Sequence, residues 1–295
     1  MINNRLFYCN NKDTYPPFKD GLYMEEYFFK YMKDNNIQTK KKYIPAIWTN
    51  FQIEKWFPYK KNVMQRALDE WIYKNPSENG YFTIVQYDDG PLLRIPNNTI
   101  IYGACSGHIP LPLIYQDKNN TLINFPKKTF REKKLVCSFV GNITFNSVQP
   151  NVRKILFDTF EKDPMFKMIN SGGWTPSVNG NLQKRFIDIT IDSKFALAPR
   201  GYGRSSFRFF ECFLLGTIPI YVWNDKNWLP FQNLIDYKKL CIVIHISQVD
   251  DLKTIIENID ENKYDNMLNY YQEIKYLFHL EGMTKEIIRE IGCVL

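Results

Sequence analysis

The stretch SKFALAPRGYGRSSFRFFECFLLGTIPIYVWNDKNWLPF, residues 193–231, decides the fold of this chain. It opens with a short apolar strand at 195–198, which Pro199 ends because proline has no N–H to donate to a sheet. A helix follows and stops at Gly216, and residues 217–223 predict a second buried strand. This order of elements predicts a βαβ unit with parallel strands. The turn then lies at the carboxyl edge of the sheet, where open α/β sheets bind ligands.

The turn between this strand and the helix combines glycines with arginines. Gly201 and Gly203 let the backbone approach a ligand closely. Arg200 and Arg204 add positive charge, and the start of the helix adds N–H groups of the kind that hold a diphosphate. The pattern indicates an anion site, although a plain G-x-G is weak evidence and no Walker A or complete G-x-G-x-x-G motif is present.

The helix is apolar on one face and charged on another. Its apolar face is formed by Phe209, Phe210, Phe213 and Leu214. Arg208 and Glu211 stand three residues apart on a different side, and charges on an apolar helix need a partner or a ligand. The two side chains could pair with each other, but the neighbouring turn favours a ligand.

Four short motifs in this region resemble the signature of exostosin-type glycosyltransferases, which build heparan sulfate backbones in animals and cell-wall or surface glycans elsewhere. They are PRG at 199–201, SFRFFE at 206–211, G-x-I-P-I at 216–220 and W-L-P-F at 228–231. A thinner resemblance runs from about residue 80 to residue 260 and includes 87–90, 109–111 and 135–141. It implies an α/β fold of the GT-B type, in which two Rossmann-like domains face each other across a cleft. The N-terminal domain would bind the acceptor and the C-terminal domain the nucleotide sugar.

The chain is long enough for two such domains, with 295 residues of which 44% are hydrophobic. A polar linker at 116–134 predicts an N-terminal domain over 1–130 and a C-terminal domain over 131–263. The resemblance suggests that the C-terminal helix within 264–295 packs back onto the first domain. In the first domain, strands are predicted at 5–9, 43–48, 82–87 and 99–102, and helices at 24–33 and 62–73. In the second, strands are predicted at 135–140, 166–170 and 240–245, and helices at 152–161, 182–191 and 249–259, besides the βαβ unit.

The resemblance implies roles for the two helical charges. Glu211 would accept hydrogen bonds from two ribose hydroxyls. Arg208 would bind the diphosphate and stabilise the negative charge that builds on the leaving nucleotide. Further donor contacts are predicted at Arg200, Gly201, Ser205 and Ser206 in the turn, at Gly141 and Asn142 after a strand, and at Trp174 in a Gly-Gly-Trp loop. A Gly-Asn turn needs no ligand, and a tryptophan that covers the sheet edge explains Trp174 equally well.

The resemblance also implies inversion at the anomeric carbon, which needs a base for the acceptor hydroxyl. The base is expected from the first domain, where Asp88 and Asp89 follow a strand and His108 precedes an I-P-L segment. A simple Asp-Asp-Gly turn explains the two aspartates equally well. At the position of His108 the family more often has an acid.

The composition narrows the class of ligand. The net charge of +7 suits an anionic ligand, but the charges are spread and the aromatic residues fall within apolar elements, which disfavours a nucleic-acid partner. Six scattered cysteines without C-x-x-C, three histidines without ligand spacing and the lack of D-x-D predict reduced thiols and no metal.

The sequence also bears on location. No apolar run approaches the roughly 18 residues of a membrane span, and residues 1–10 are too short and polar for a signal peptide, so a soluble cytoplasmic protein is expected. The Asn- and Lys-rich composition favours a viral or microbial source.

These observations predict an exostosin-like glycosyltransferase that moves a hexosyl or pentosyl group from a UDP-sugar to a glycan hydroxyl, without a tightly bound cofactor. Two alternatives stay open. One is a non-catalytic relative that binds a nucleotide or glycan, against which the intact Arg208 and Glu211 argue. The other is a fucosyltransferase-like GT-B enzyme that uses a GDP-sugar. No residue identifies the sugar, the acceptor or the oligomeric state.

Overall fold

The computed structural model describes residues 1–9, 21–144, 149–172 and 180–293, and these fall into two compact units. The chain leaves the first unit between Gln116 and Asp117 and returns to it between Lys275 and Tyr276. The predicted change at residue 130 lies later in the chain, and the predicted change at residue 263 lies earlier. The C-terminal helix belongs to the first unit, where it packs against the first helix.

Each unit is built on a sheet with helices packed around it. The strands are β1 (Lys42–Tyr43), β2 (Tyr81–Val85), β3 (Thr99–Gly103), β4 (Ile109–Pro110), β5 (Leu135–Gly141), β6 (Phe166–Asn170), β7 (Ser193–Pro199), β8 (Ile218–Trp223) and β9 (Ile242–His245). The α-helices are α1 (Met24–Asp34), α2 (Trp48–Gln52), α3 (Phe57–Lys74), α4 (Val152–Phe160), α5 (Gly180–Ile191), α6 (Phe207–Leu214), α7 (Tyr237–Leu240), α8 (Leu252–Glu257), α9 (Glu261–Ile274) and α10 (Leu280–Ile291). Short 3₁₀ helices occupy Arg5–Tyr8, Ile246–Asp251 and Lys275–Phe278.

The described strands of the first unit form a parallel sheet in the order β1-β2-β3-β4. Trp48 at the start of α2 is fully buried and donates its indole N–H to Thr83 Oγ1 of β2 at 2.7 Å. On α1, Phe28 packs edge-on against Phe82 of β2 and Tyr43 of β1. These contacts cover the sheet, which agrees with the rule that parallel sheets are buried on both faces.

Two strand predictions in the first unit are wrong. The segment 5–9 contains the 3₁₀ helix Arg5–Tyr8 instead. The side chain of Asn4 accepts the N–H of Leu6 at 3.0 Å and so caps the start of this helix. The strand predicted at 43–48 ends at Tyr43, and Trp48 already starts α2. An apolar run of this length suits a buried strand and a short buried helix equally, so the periodicity could not separate them.

The second unit carries a five-stranded parallel sheet in the order β6-β5-β7-β8-β9. The predicted βαβ unit is confirmed as β7, α6 and β8, with Phe195 paired to Ile218 and Pro199 to Val222. Gly216 follows α6 with φ of +70°, a conformation that favours glycine. The chain winds outward in opposite directions from β5 and β7, so the point between these two strands is the topological switch point of the sheet.

Taken together, the two parallel sheets with helices confirm the α/β class. All six cysteines are free thiols, four of them buried, as the spacing predicts. In the described parts of the chain, every helix is too short or too polar to cross a membrane.

A buried carboxyl group joins the first turn of α1 to α2 and to the end of β2. Glu25 is 2% exposed, and it accepts hydrogen bonds from the N–H and Oγ1 of Thr49, each at 2.8 Å, and from the N–H of Gln86. Burial raises the pKa of Glu25 to about 7, and these hydrogen bonds reduce the shift.

We expect Glu25 to make the free energy of unfolding depend on pH. A carboxyl group with a raised folded-state pKa contributes its stability in full below the unfolded pKa of 4.5 and loses it as the pH rises through 7. The loss is about 3 kcal/mol, at about 1.4 kcal/mol per pKa unit. Urea unfolding between pH 4 and 8 should show this component in the wild type and not in Glu25→Gln. Equal slopes in the two proteins would contradict the expectation.

Candidate functional site

The candidate site lies at the switch point of the second unit. Gly141 is the last residue of β5 and Pro199 the last residue of β7, and these neighbouring parallel strands end at the same edge of the sheet. The Gly/Arg/Ser turn at 200–206 leaves β7 here and leads directly into α6. Open α/β sheets bind ligands at such an edge, so the topology alone makes this the place to look for a site.

Arg208, the second residue of α6, reaches back over the end of β5. Its Nη2 donates a hydrogen bond to the carbonyl of Val140. The guanidinium carbon lies 5.1 Å from the ring centroid of Phe139 and 5.7 Å from that of Phe186 on α5. At Gly141, a Cβ would lie only 2.7 Å from Arg208 Nη2 and 3.0 Å from Phe139 Cζ. Because Gly141 has no side chain, the guanidinium can occupy the space that a Cβ would fill.

The other two guanidinium nitrogens of Arg208 have no acceptor among the described residues. Nε and Nη1 are buried and lack a hydrogen-bond partner among the residues that the structure describes. Burial lowers the pKa of Arg208, and the neighbouring Cys212 and Glu211 act in the opposite direction. Buried charges are ordinarily paired, because an unpaired one loses its hydration without compensation. The arrangement therefore suits an anion that is bound from outside.

The start of α6 adds backbone donors to this position. Ser206 is the N-cap residue, but its side chain makes no capping hydrogen bond. Ser205 precedes it, and Glu211 lies almost one helical turn beyond Arg208 and is partly buried. An uncapped helix start carries N–H groups and a positive dipole end, which favour an anion. The structure thus brings Arg208, Gly141 and the start of α6 together, while the ligand roles of Ser205, Ser206 and Glu211 stay predictions.

Arg200 is held by protein groups. Its side chain is 9% exposed, and Nη1 donates to Asp225 Oδ1 at 2.6 Å and to Asn224 Oδ1 at 3.1 Å. Nη2 donates to the carbonyl of Tyr202 at 2.7 Å, and Nε to that of Gly201 at 3.3 Å. These bonds fix the turn after β7 against the loop after β8. Direct binding of a phosphate by Arg200 or Gly201 remains a prediction.

Asp225, which the sequence analysis did not single out, bridges two arginines. Besides its bond to Arg200, it accepts from Arg204 Nε at 2.8 Å through Oδ2. Burial alone would raise the pKa of Asp225, but hydrogen bonds from Lys226 N–H and from both arginines outweigh it and hold the pKa below its ordinary value. The only hint in the sequence is a carboxylate directly after a strand that ends at the same sheet edge.

We expect Asp225→Ala to destabilise the protein by about 1–3 kcal/mol. Breaking a buried ion pair costs more, but Asp225 is 39% exposed and solvent screens it. The lowered pKa makes this contribution present above about pH 4 and lost as the pH falls below it. Urea unfolding at pH 7 measures the loss of stability, and the same measurement at pH 3 shows how that loss depends on pH. Asp250→Ala removes an exposed carboxylate of the same unit and should cost little. An equal effect of the two substitutions would refute this role.

Arg153, which was not predicted from the sequence either, connects the ends of β5 and β7. Arg153 on α4 donates through Nη1 to the carbonyl of Asn142 and through Nε to that of Arg200, each at 3.2 Å. Asn142 itself forms a turn in which Oδ1 accepts from the N–H and Oγ1 of Thr144. Arg153 thus holds the loops after β5 and β7 at a fixed separation. Asn142 lies at the site, with its side-chain oxygen used inside its own turn.

The base candidates lie in the first unit. Asp88 and Asp89 occupy an exposed turn in which Gly90 N–H donates to the carbonyl of Tyr87 at 3.0 Å. His108 is exposed just before β4, and its Nδ1 accepts the N–H of Ile101 at 2.9 Å. The turn expected for the aspartates is present, and a base role for any of the three stays a prediction. Trp174, predicted at the cleft, lies outside the described residues.

The described residues contain no group of three or more His, Cys, Asp or Glu side chains that could hold a metal ion. The Arg208 guanidinium and the N–H groups at the start of α6 are donors that favour an anion, while the Val140 carbonyl and the Glu211 carboxylate are the acceptors near Arg208.

Comparison with known proteins gives a family. The model of the exostosin GT47 domain matches residues 108–259, more than half of the chain. A "probable glycosyltransferase" of Arabidopsis thaliana is 27% identical over 34% of the chain and 19% of its own length. "Probable arabinosyltransferase ARAD1" of the same plant is 29% identical over 55% of the chain and 36% of its own length. "Exostosin-1 homolog" of Caenorhabditis elegans is 23% identical over 63% of the chain and 56% of its own length. The chain thus spans less than two thirds of each relative, and it belongs to the exostosin GT47 family.

Proposed function

We propose that the protein is a glycosyltransferase that uses a nucleotide sugar, most simply a UDP-sugar, as donor. The observation that carries the proposal is the buried guanidinium of Arg208 at the switch point of a parallel sheet, where Nε and Nη1 lack an acceptor among the residues that the structure describes. A diphosphate supplies the missing acceptor oxygens and charge. Family membership and the names of the relatives support transfer of a sugar as the reaction.

In the proposed reaction, an acceptor hydroxyl attacks the anomeric carbon as the bond from that carbon to the diphosphate oxygen breaks. The nucleoside diphosphate leaves with that bond's electron pair, and a base takes the hydroxyl proton, so the configuration inverts. Negative charge on the diphosphate grows along this path. Arg208 and the N–H groups at the start of α6 hold that charge more tightly in the transition state than in the bound donor.

The remaining residues take supporting roles in the proposal. Glu211 accepts hydrogen bonds from the ribose hydroxyls, because it lies on α6 beyond the phosphate position. Arg200, Arg204 and Asp225 keep the turn at 200–206 in the shape that presents the helix start. The proposed base is one of Asp88, Asp89 and His108, whose side chains are exposed. Arginine and backbone donors supply the charge compensation, so the proposed transfer needs no metal.

Calorimetric titration in the presence of EDTA tests the proposal, with UDP, GDP and a panel of UDP-sugars as ligands. We expect UDP and one or more UDP-sugars to bind, and the UDP-sugar that binds best to be hydrolysed slowly or transferred to a glycan. Binding of GDP alone would move the protein to a GDP-sugar donor. Binding that requires added Mg²⁺ or Mn²⁺ would refute metal independence, and no binding of any nucleotide would refute a donor site.

A further inference from the structure

A second buried donor without a partner lies on the neighbouring helix. Nε2 of Gln183 is buried and lacks a hydrogen-bond partner among the described residues. Gln183 belongs to the first turn of α5, which begins at Gly180. An amide nitrogen that is buried without an acceptor destabilises the fold, because it loses its hydration without compensation. Gln183 as a whole is half-buried, and Nε2 is the atom that needs an acceptor.

Helix geometry places Gln183 on the face of α5 that lies toward the Arg208 guanidinium. Phe186 on α5 lies beside the Arg208 guanidinium, and Gln183 precedes it by three residues, so the two share one face of the helix. Ile187, four residues after Gln183, is buried on that same face. Because α5 leads into β7, its first turn lies toward the carboxyl edge of the sheet.

On β5, the step from Phe139 to Gly141 also runs toward the carboxyl edge of the sheet. Phe139 packs under the Arg208 guanidinium, and Gly141, two residues farther along the same strand face, lies at the carboxyl edge. Gln183 is displaced from Phe186 toward that edge in the same way. The amide and the guanidinium therefore approach the end of β5 from two adjacent helices.

We infer that Gln183 is a second ligand of the donor phosphoryl group that Arg208 binds. This inference rests on the proposed function. The unpartnered buried atoms on α5 and α6 are Gln183 Nε2 and Arg208 Nε and Nη1, all of them nitrogen donors. A set of donors without acceptors selects a ligand that offers only acceptor oxygens at this point, as a phosphoryl group does, and disfavours a hydroxyl group that must also donate.

Two substitutions of Gln183 test the inference by changing affinity and stability in opposite directions. Gln183→Leu removes the amide at similar volume, so UDP affinity should fall roughly 5- to 30-fold while the ligand-free protein melts at the same or a higher temperature. Gln183→Glu provides the acceptor that Arg208 lacks. It should weaken UDP binding by at least roughly 100-fold and raise the ligand-free melting temperature further.

Asn181→Asp is the matched control, since it introduces the same charge at an exposed position of the same helical turn. Titrations use UDP, with inorganic pyrophosphate as a probe without a base or sugar, and they should show the same order of variants for both ligands.

If Arg208→Met loses UDP binding and both Gln183 variants bind like Asn181→Asp, the inference fails and the proposed function stands. If Gln183→Leu melts several degrees lower with unchanged affinity, the amide is structural and the inference fails. If the wild type binds neither UDP, GDP nor pyrophosphate, both the inference and the proposed function fail.

Discussion

Replacing Arg208 with methionine is expected to abolish sugar transfer while leaving the ligand-free protein at least as stable as the wild type. Loss of one preorganised hydrogen-bond donor to a developing negative charge typically lowers the catalytic rate roughly 100- to 1000-fold, and the affinity for UDP should fall as well. Two of the guanidinium nitrogens of Arg208, Nε and Nη1, form no hydrogen bond within the described part of the chain. An apolar side chain of similar volume should therefore leave stability unchanged or raise it by about 1–3 kcal/mol. Calorimetric titration with UDP and urea unfolding measure the two effects.

Lys239→Met is the control for the change in net charge, because Lys239 lies on α7 with 70% of its side chain exposed. It should bind UDP like the wild type. Unchanged UDP affinity in a folded Arg208→Met protein would contradict the role of Arg208. A fall in ligand-free stability by several kcal/mol would show that the guanidinium is satisfied within the fold after all.

The second large effect is expected from Gly141→Ala, which adds a single methyl group. The new Cβ would lie 2.7 Å from Arg208 Nη2, so the guanidinium must leave its place over the end of β5. That movement breaks the bond to the Val140 carbonyl and displaces the anion-binding nitrogens. UDP affinity should fall roughly 10- to 100-fold, because misplacing a binding group by about 1 Å is costly. Overpacking should lower the free energy of unfolding by about 1–3 kcal/mol.

Gly180→Ala provides the comparison, since a Cβ at Gly180 would meet none of the described residues within 4 Å. It introduces the same chemical change at a glycine of the same unit without a clash. Titration with UDP should therefore separate the two variants clearly. Equal affinities would show that the guanidinium can move without loss, and that the position of Arg208 over β5 does not matter for binding.

The sequence predicts the parts of the site that are encoded locally. The strand, turn, helix and strand at 193–231 are close in the chain, and their pattern predicts both the parallel pairing of β7 with β8 and the place of the turn. Arg208 stands out because it is a charge on an apolar helix. The two strands predicted wrongly, at 5–9 and 43–48, are short apolar runs whose helical or extended form is decided by packing and capping.

The parts that were missed depend on contacts between distant segments. Gly141 is predicted as a site residue, but the close approach of the Arg208 guanidinium to it is missed, because the two residues lie on different elements. Asp225 and Arg153 act through bonds to the turn after β7 that only the folded sheet creates. Gln183 carries no charge, so its buried amide gives no signal in composition or periodicity. Its significance follows from the lack of a hydrogen-bond partner, which is a property of the folded chain.

The most direct test uses protein labelled with ¹⁵N at arginine Nε and titrated with UDP in the presence of EDTA. The Nε–H resonance of Arg208 is identified by its disappearance in Arg208→Met. A nucleotide diphosphate that accepts a hydrogen bond from Nε should move this resonance strongly downfield and slow its exchange with water, while the Arg131 resonance at the exposed Glu261 pair stays in place. UDP binding that leaves the Arg208 resonance unchanged would contradict the claim that this buried guanidinium holds the donor.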